Sequence, residues 1–153
     1  QGLQPDDAQR IARQSGGNFI QAMRQTVVNA DQGLFFDMFV MLMRLAYQRD
    51  IKGIRQWTES VAEWGRERQK DFLQYALRMV RENFMYNFHQ PELNYMSQQE
   101  ADFAVRFARF INERNVIPIS EELESCIRDI SQNVNARMVF FDFGLKMIVL
   151  LIR

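Results

Sequence analysis

The residue types that most often do chemistry in proteins are scarce in this sequence. The chain has one histidine, His89, and one cysteine, Cys126. A metal site needs several such ligands close together, and a nucleophilic thiol needs a base beside it. His89 lies in a predicted loop with no second histidine, and Cys126 lies between Leu123 and Ile127 on a predicted helix. We therefore predict no metal site and no catalytic residue, and expect Cys126 to be a buried, small apolar residue.

The paired carboxylates and paired glycines have structural explanations. Asp6-Asp7 and Glu121-Glu122 each lie at a predicted helix start, where negative charge stabilises the positive end of the helix dipole. Gly16-Gly17 follows a predicted helix rather than a strand, which indicates a helix stop. Because no Gly-rich loop ends in Lys-Ser or Lys-Thr, we predict no nucleotide or other cofactor on these residues.

The composition is that of an ordinary globular domain. The chain has 153 residues, 47% of them hydrophobic and 25% charged, with 19 basic against 19 acidic side chains. A net charge of zero gives no long-range attraction for phosphates, which argues against a dedicated nucleic-acid-binding domain. A single cysteine excludes an intramolecular disulfide and suits a reducing compartment. The first residues lack a signal-peptide pattern and an initiator Met, so we expect a fragment of a longer protein.

Apolar residues recur at helical spacing along nearly the whole chain, which predicts an all-α fold. We expect two short helices, a joint at residues 29–33, and then a bundle of five to six helices. Asp50 can cap one of these helices, Ser97 and Glu100 form a capping box on another, and Pro118 with Ser120 opens a third. The predicted helices are 6–15, 18–29, 34–49, 50–64, 67–88, 97–111, 118–134 and 135–153.

The last predicted helix is apolar on nearly all sides. The run from Met138 to Ile152 is too short for a typical membrane span and is interrupted by Asp142 and Lys146. Because a small domain has difficulty burying every side of a terminal helix, the remainder is expected to meet another chain. This pattern indicates a protein-interaction domain. The mixed-sign run from Arg66 to Asp71 is either a solvated helix face or a polar subunit contact.

Three segments carry a resemblance to a known family. They are Ser15-Gly-Gly-Asn-Phe-Ile-Gln-Ala-Met23, Gly65-Arg-Glu-Arg-Gln-Lys-Asp-Phe-Leu-Gln-Tyr-Ala-Leu77 and Asn133-Val-Asn-Ala-Arg-Met-Val-Phe-Phe-Asp142. In this order they resemble the clamp loader subunits of bacterial DNA polymerase III, and the delta-prime subunits most closely. The first is similar to the end of the AAA+ lid. The other two are similar to the helical collar, whose last helix begins with Asn-x-Asn-x-Lys/Arg.

The resemblance implies a division of the chain into two parts. Residues 1–32 would be the C-terminal part of the AAA+ lid and residues 33–153 the collar, an oligomerisation domain, with the nucleotide-binding domain preceding Gln1. The sensor Arg of the family falls on Ile20, which cannot contact phosphates and so favours delta-prime over the gamma/tau ATPase. The parent would then be a non-hydrolysing, cytoplasmic subunit of the polymerase holoenzyme, and this fragment would carry no catalytic residue.

The implied function is to assemble the pentameric loader that places the sliding clamp on DNA during replication. The collar would contact the gamma/tau and delta subunits, whereas the clamp and DNA would be reached only through the AAA+ region, with no membrane partner. A gamma/tau-type collar and an unrelated all-α interaction domain remain as alternatives. Helix capping is an alternative explanation for the two asparagines of the third segment. The expected interface residues are Asn133, Asn135, Arg137, Phe141 and Asp142, with Phe140 and Phe143 divided between core and contact.

Overall fold

The fold is all-α, as predicted. The computed structural model describes residues 19–88 and 96–152, and these contain six α-helices, one 3₁₀ turn and no strand. The predicted helix over 6–15 and the predicted loop at His89 lie outside the described residues. The helices are α1 Phe19–Gln48, α2 Ile51–Ala62, α3 Arg66–Tyr86, α4 Gln98–Phe107 with a 3₁₀ turn Ala108–Phe110, α5 Val116–Ser131 and α6 Ala136–Leu150.

Helix α1 corrects the predicted joint at residues 29–33. The helix runs without interruption from Phe19 to Gln48. A glycine inside a helix, such as Gly33, costs only about 1 kcal/mol relative to alanine, and each further residue adds a hydrogen bond to a helix already formed. By packing, the chain divides into two compact units, 1–34 and 35–153, so the division falls within a continuous helix. The assignment of these units to a lid and a collar stays a prediction.

Two predicted helix caps are confirmed. The Asp50 carboxylate accepts a hydrogen bond from the backbone N–H of Gly53 at 2.8 Å. At the start of α4, the Glu100 N–H donates to the Ser97 hydroxyl at 3.2 Å, and the Ser97 N–H donates to the Glu100 carboxylate at 3.0 Å. Both motifs are local in sequence, so the residue types alone were enough to place these helix starts.

Helix α5 begins earlier than predicted. It starts at Val116, and Pro118 is its third residue rather than its opening. Proline is tolerated there because the first turn of a helix does not use its N–H groups. Glu121 and Glu122 therefore lie beyond the first turn, and the helix-dipole explanation for this pair is wrong. Glu122 instead accepts a hydrogen bond from the Lys146 ammonium group at 3.2 Å.

The core of the second unit lies where α3 packs along α5, α2 along α6, and α5 against α6. Aromatic rings fill its centre. The Phe72 ring lies 5.7 Å from Phe35 and 5.9 Å from Trp57 between centroids, and the Trp57 indole N–H donates to the Met38 carbonyl at 2.9 Å. The Phe35–Phe72 pair is edge-to-face, a geometry that adds to the hydrophobic stabilisation of each ring. The largest fully buried side chains are Phe35, Phe39, Phe72, Phe140, Phe143, Leu42, Ile54, Leu73, Met79, Ile111, Ile119 and Leu123.

Helix α6 contributes to the centre of this core and lies close to α2. The sequence did not decide whether Phe140 and Phe143 are core or interface residues. Both are buried in the core. The Phe140 ring lies 6.0 Å from Trp57. A methyl group placed on Gly144 would lie 2.5 Å from the Cγ2 methyl of Ile54, so only glycine allows α2 and α6 this separation.

Candidate interaction surface on the last helix

The corner between α5 and α6 is built by two asparagines. Asn133 has a φ of 64°, and it follows the last turn of α5, where its N–H donates to the Ile130 carbonyl at 3.2 Å. The Val134 N–H donates to the Asp129 carbonyl at 2.9 Å, which completes a Schellman motif. The Asn135 side chain then accepts a hydrogen bond from the Met138 N–H at 3.2 Å and caps α6. Capping of a helix start is confirmed for Asn135 and wrong for Asn133, which instead terminates α5 in the left-handed conformation.

Arg66 fixes the same corner from α3. Its guanidinium group donates to the carbonyls of Ile130 and Val134, both at 3.1 Å. Ile130 lies in the last turn of α5 and Val134 just beyond it, where the negative pole of the helix dipole favours a cation. The first residue of the charged run from Arg66 to Asp71 therefore has a structural role that sequence spacing did not reveal.

The side of α6 that faces away from the core carries an apolar row, which we call the α6 stripe. It consists of side chains spaced by three or four residues, so they share one side of the helix and continue just past its end. Met138, Val149 and Ile152 are 69%, 54% and 64% exposed, whereas the two members between them are half-buried. The α6 stripe is Met138, Phe141, Leu145, Val149 and Ile152.

Ion pairs flank the α6 stripe. Arg137 donates to the Glu59 carboxylate of α2 at 2.9 Å, and this hydrogen bond raises the pKa of Arg137 above its usual value. Lys146 contacts Asp142 at 2.9 Å and Glu122 at 3.2 Å. Its hydrogen bonds to Asp142 and then Glu122 raise the pKa of Lys146, so this group stays charged at neutral pH. The surface is thus an apolar centre with charged edges.

Phe141 connects the α6 stripe to α2. The Arg55 guanidinium group lies over the Phe141 ring at 5.5 Å, a cation–π arrangement that leaves the ring half-buried. Of the expected interface residues, Arg137 and Asp142 are thus in ion pairs, Phe141 is partly covered, and the two asparagines are caps. Ile20 lies in the first turn of α1.

Sequence reasoning missed several residues of this surface. It recognised the apolar run but did not single out Met138, Leu145, Val149 or Ile152, because it treated the helix as apolar on nearly all sides and did not identify the buried side. The 3.6-residue period does contain that separation, since Phe140, Phe143 and Met147 lie on the buried side. The residues that contact this helix from α2 and α5 are distant in sequence, so the last segment alone could not indicate them. They are Arg55, Glu59 and Glu122.

The described residues give no support for a reactive thiol or a metal site. Cys126 is buried as expected, and burial, with Glu122 and Asp129 nearby, raises its pKa to about 12. A thiol with such a pKa stays protonated and unreactive. Within residues 19–88 and 96–152, no three His, Cys, Asp or Glu side chains come close enough to hold a metal ion. No helix in that part of the chain is long and apolar enough to cross a membrane.

Comparisons with known proteins give no relative for this chain. No protein-family model matches it, and neither a curated protein nor a solved structure does.

Proposed function

We propose that this chain is an assembly domain of the clamp loader of bacterial DNA polymerase III, of the delta-prime type, and that it joins neighbouring subunits through the α6 stripe. One observation carries the proposal of an assembly role: a helix with Phe140 and Phe143 in the core presents a continuous apolar row on its opposite side. The three resembling segments support the choice of family. The third of them contains the corner at Asn133 and Asn135 and the start of the α6 stripe.

The size of the α6 stripe fits the centre of a specific interface. From Met138 to Ile152 it extends about 21 Å along the helix, at 1.5 Å per residue. A stable interface buries about 800 Å² on each partner, with an apolar centre and a polar rim. The ion pairs of Arg137 and of Lys146 supply such a rim, where charges select the partner more than they strengthen binding.

The proposed role is therefore binding rather than bond-making. The partners would be the gamma/tau and delta subunits in the cytoplasm, and the loader so assembled would place the sliding clamp on DNA. Ile20, at the position of the family's sensor Arg, supports the delta-prime type over a gamma/tau ATPase. An unrelated all-α interaction domain is the second candidate, favoured by the lack of any matching family model.

The test is co-purification of the full-length parent with candidate gamma/tau and delta subunits. In one variant, Met138→Asp and Val149→Asp place two charges in the α6 stripe. The matched control, Ile51→Asp with Val105→Asp, places two charges on exposed apolar residues of α2 and α4. Burying an unpaired carboxylate in an interface is costly, so we expect the first variant to lose co-elution and the control to keep it.

Three outcomes separate the candidates. Loss of co-elution in the stripe variant alone, with helical circular dichroism unchanged, supports both the partners and the surface. Equal loss in both variants would remove the α6 stripe from the proposal. Failure of the unaltered parent to bind either subunit would reject the clamp loader assignment and leave an interaction domain with another partner.

A further inference from the structure

A second surface, which shares no residue with the α6 stripe, has the features of a ligand site. An open groove with a volume of about 260 Å³ lies between α1 and α4 with its 3₁₀ turn. An apolar cavity of roughly 150 Å³ holds a benzene ring, so this groove has room for one large side chain. We call it the α1–α4 groove. Its apolar lining is Met43, Tyr47, Phe103, Phe107, Phe110 and Leu151.

The rings of the α1–α4 groove hold one another in place. Phe103 and Phe107 stack with centroids 4.8 Å apart, Phe107 lies 6.0 Å from Phe110, and Phe110 lies 5.2 Å from Tyr47. Met43 and Leu151 are buried beside them. The groove is therefore preformed, and an apolar side chain entering it would lose little free energy to rearrangement of the protein.

Three arginines surround this apolar floor. The α1–α4 groove is also lined by Arg44, Arg106 and Arg109. Within the described residues, no acidic side chain lines this groove, and none of the three arginines makes an ion pair. The Arg109 guanidinium group lies over the Phe110 ring at 5.0 Å. The dipole of α4 can account for Arg106 in its last turn, but Arg44 precedes the last turn of α1, where this effect has largely fallen off. In a chain of zero net charge, this is a local excess of positive charge.

We propose that the α1–α4 groove binds a short acidic peptide segment of a partner protein, with one large apolar side chain in the groove and neighbouring carboxylates on the three arginines. Arginine forks bind carboxylates in a bidentate manner, and arginine clusters are a recurrent means of recognising acidic motifs. A single-stranded nucleic acid is disfavoured, because stacking of successive bases needs several exposed ring faces. In this groove Tyr47 is 62% exposed, whereas Phe103 and Phe107 are only 9% and 6% exposed.

The test is selection of peptides from a random library displayed on phage, with the 153-residue chain as the bait. We expect the selected peptides to be enriched in Asp and Glu around a Phe, Leu, Met or Trp. Three baits are compared: the unaltered chain, Arg44→Glu with Arg106→Glu, and Arg128→Glu as the control. Arg128 is exposed on α5 and does not line the groove.

Affinities are then measured by fluorescence anisotropy with the most enriched peptide. Charge reversal of Arg44 and Arg106 should weaken binding by a factor of about 100 or more, and Arg128→Glu by less than about threefold. Replacing the apolar anchor of the peptide by Ala should cost at least about tenfold. Circular dichroism confirms that each bait is folded.

Several results would overturn the proposal. The proposal fails if the selected peptides are not enriched in acidic residues, or if the Arg44→Glu, Arg106→Glu bait selects the same peptides as the unaltered chain. It also fails if Arg128→Glu weakens peptide binding as much as the double variant does, or if a single-stranded oligonucleotide binds more tightly than the peptide. The groove does not include the α6 stripe, so this result is independent of whether the subunit co-purification succeeds.

Discussion

The close approach of α2 and α6 at Gly144 makes a quantitative prediction. Replacing Gly144 by alanine places a methyl group 2.5 Å from Cγ2 of Ile54, a distance that requires movement of one of the two helices. Ile54 is fully buried, and its branched side chain has little rotamer freedom, so it cannot turn away.

Two opposing effects set the size of the change. Alanine favours a helix over glycine by about 1 kcal/mol, whereas an extra methyl group in a packed core costs about 1–3 kcal/mol. Because a 2.5 Å approach is far closer than an ordinary van der Waals contact, we take the upper part of this steric range, about 2–3 kcal/mol. After the helix gain is subtracted, Gly144→Ala is expected to lower the free energy of unfolding by about 1–2 kcal/mol and the Tm by about 2–8 °C. Urea denaturation followed by far-UV circular dichroism measures this change.

The matched control is Gly33→Ala. Gly33 also lies inside a helix, but within the described part of the chain no atom beyond its immediate neighbours and its own helix backbone lies within 4 Å of the added methyl position. This change should be stabilising by about 0.5–1 kcal/mol, because only the helix preference remains.

A double-mutant cycle isolates the contact. In an Ile54→Ala background the obstructing methyl group is absent, so Gly144→Ala should become neutral or stabilising. If Gly144→Ala does not destabilise the protein with Ile54 present, or destabilises it equally in the Ile54→Ala background, the steric argument is refuted.

Three further predictions concern single side chains. Glu100→Gln should lower the free energy of unfolding by about 2 kcal/mol at neutral pH, because the carboxylate accepts hydrogen bonds from Tyr75 at 2.5 Å and Arg78 at 2.9 Å. Burial alone would raise the pKa of Glu100, but the hydrogen bonds from Tyr75 and the Ser97 backbone, with the Arg78 charge, lower it below its usual 4.5. The stabilisation by the Glu100 carboxylate is therefore present above its ordinary pKa and is lost as the pH falls through its pKa in the folded protein. Urea titrations should show that the difference in free energy of unfolding between the unaltered protein and Glu100→Gln becomes smaller in acid. A difference that grows in acid contradicts this argument. Asn135→Ala should cost about 1 kcal/mol and Asn135→Ser much less, as measured by urea denaturation, and equal losses would argue against the cap. Cys126, with its pKa raised to about 12, should react with a thiol reagent only as fast as the protein opens, and labelling at the rate of free cysteine would contradict its burial.

The parts of the fold that sequence predicted well are those that nearby residues decide. Asp50 and the Ser97–Glu100 pair identify their helix starts because each partner lies within three residues. The predicted helix break at 29–33 was wrong because the penalty of Gly33 is small beside the cooperativity of a long helix. The early start of α5 was missed because Pro118 can occupy the first turn as well as precede it.

The surfaces were harder to predict, because their residues come from distant parts of the chain. The α1–α4 groove needs Arg44 and Tyr47 from α1 together with Arg106 and Arg109 from the α4 region. No spacing rule connects segments about sixty residues apart without knowledge of helix packing. The α6 stripe lies in one helix and was within reach of periodicity, but only after the buried side had been identified.

The central position of Phe140 and Phe143 has a consequence for biosynthesis. Trp57 and Phe72 lie within 6.5 Å of the Phe140 ring between centroids, so the middle of the core is completed by a residue that is synthesised after the other described helices. A nascent chain ending before Ala136 exposes this aromatic cluster to solvent and cannot reach the native packing. The helix that we propose binds neighbouring subunits is therefore also the last of the described helices to be synthesised, and it completes the packing of the aromatic core.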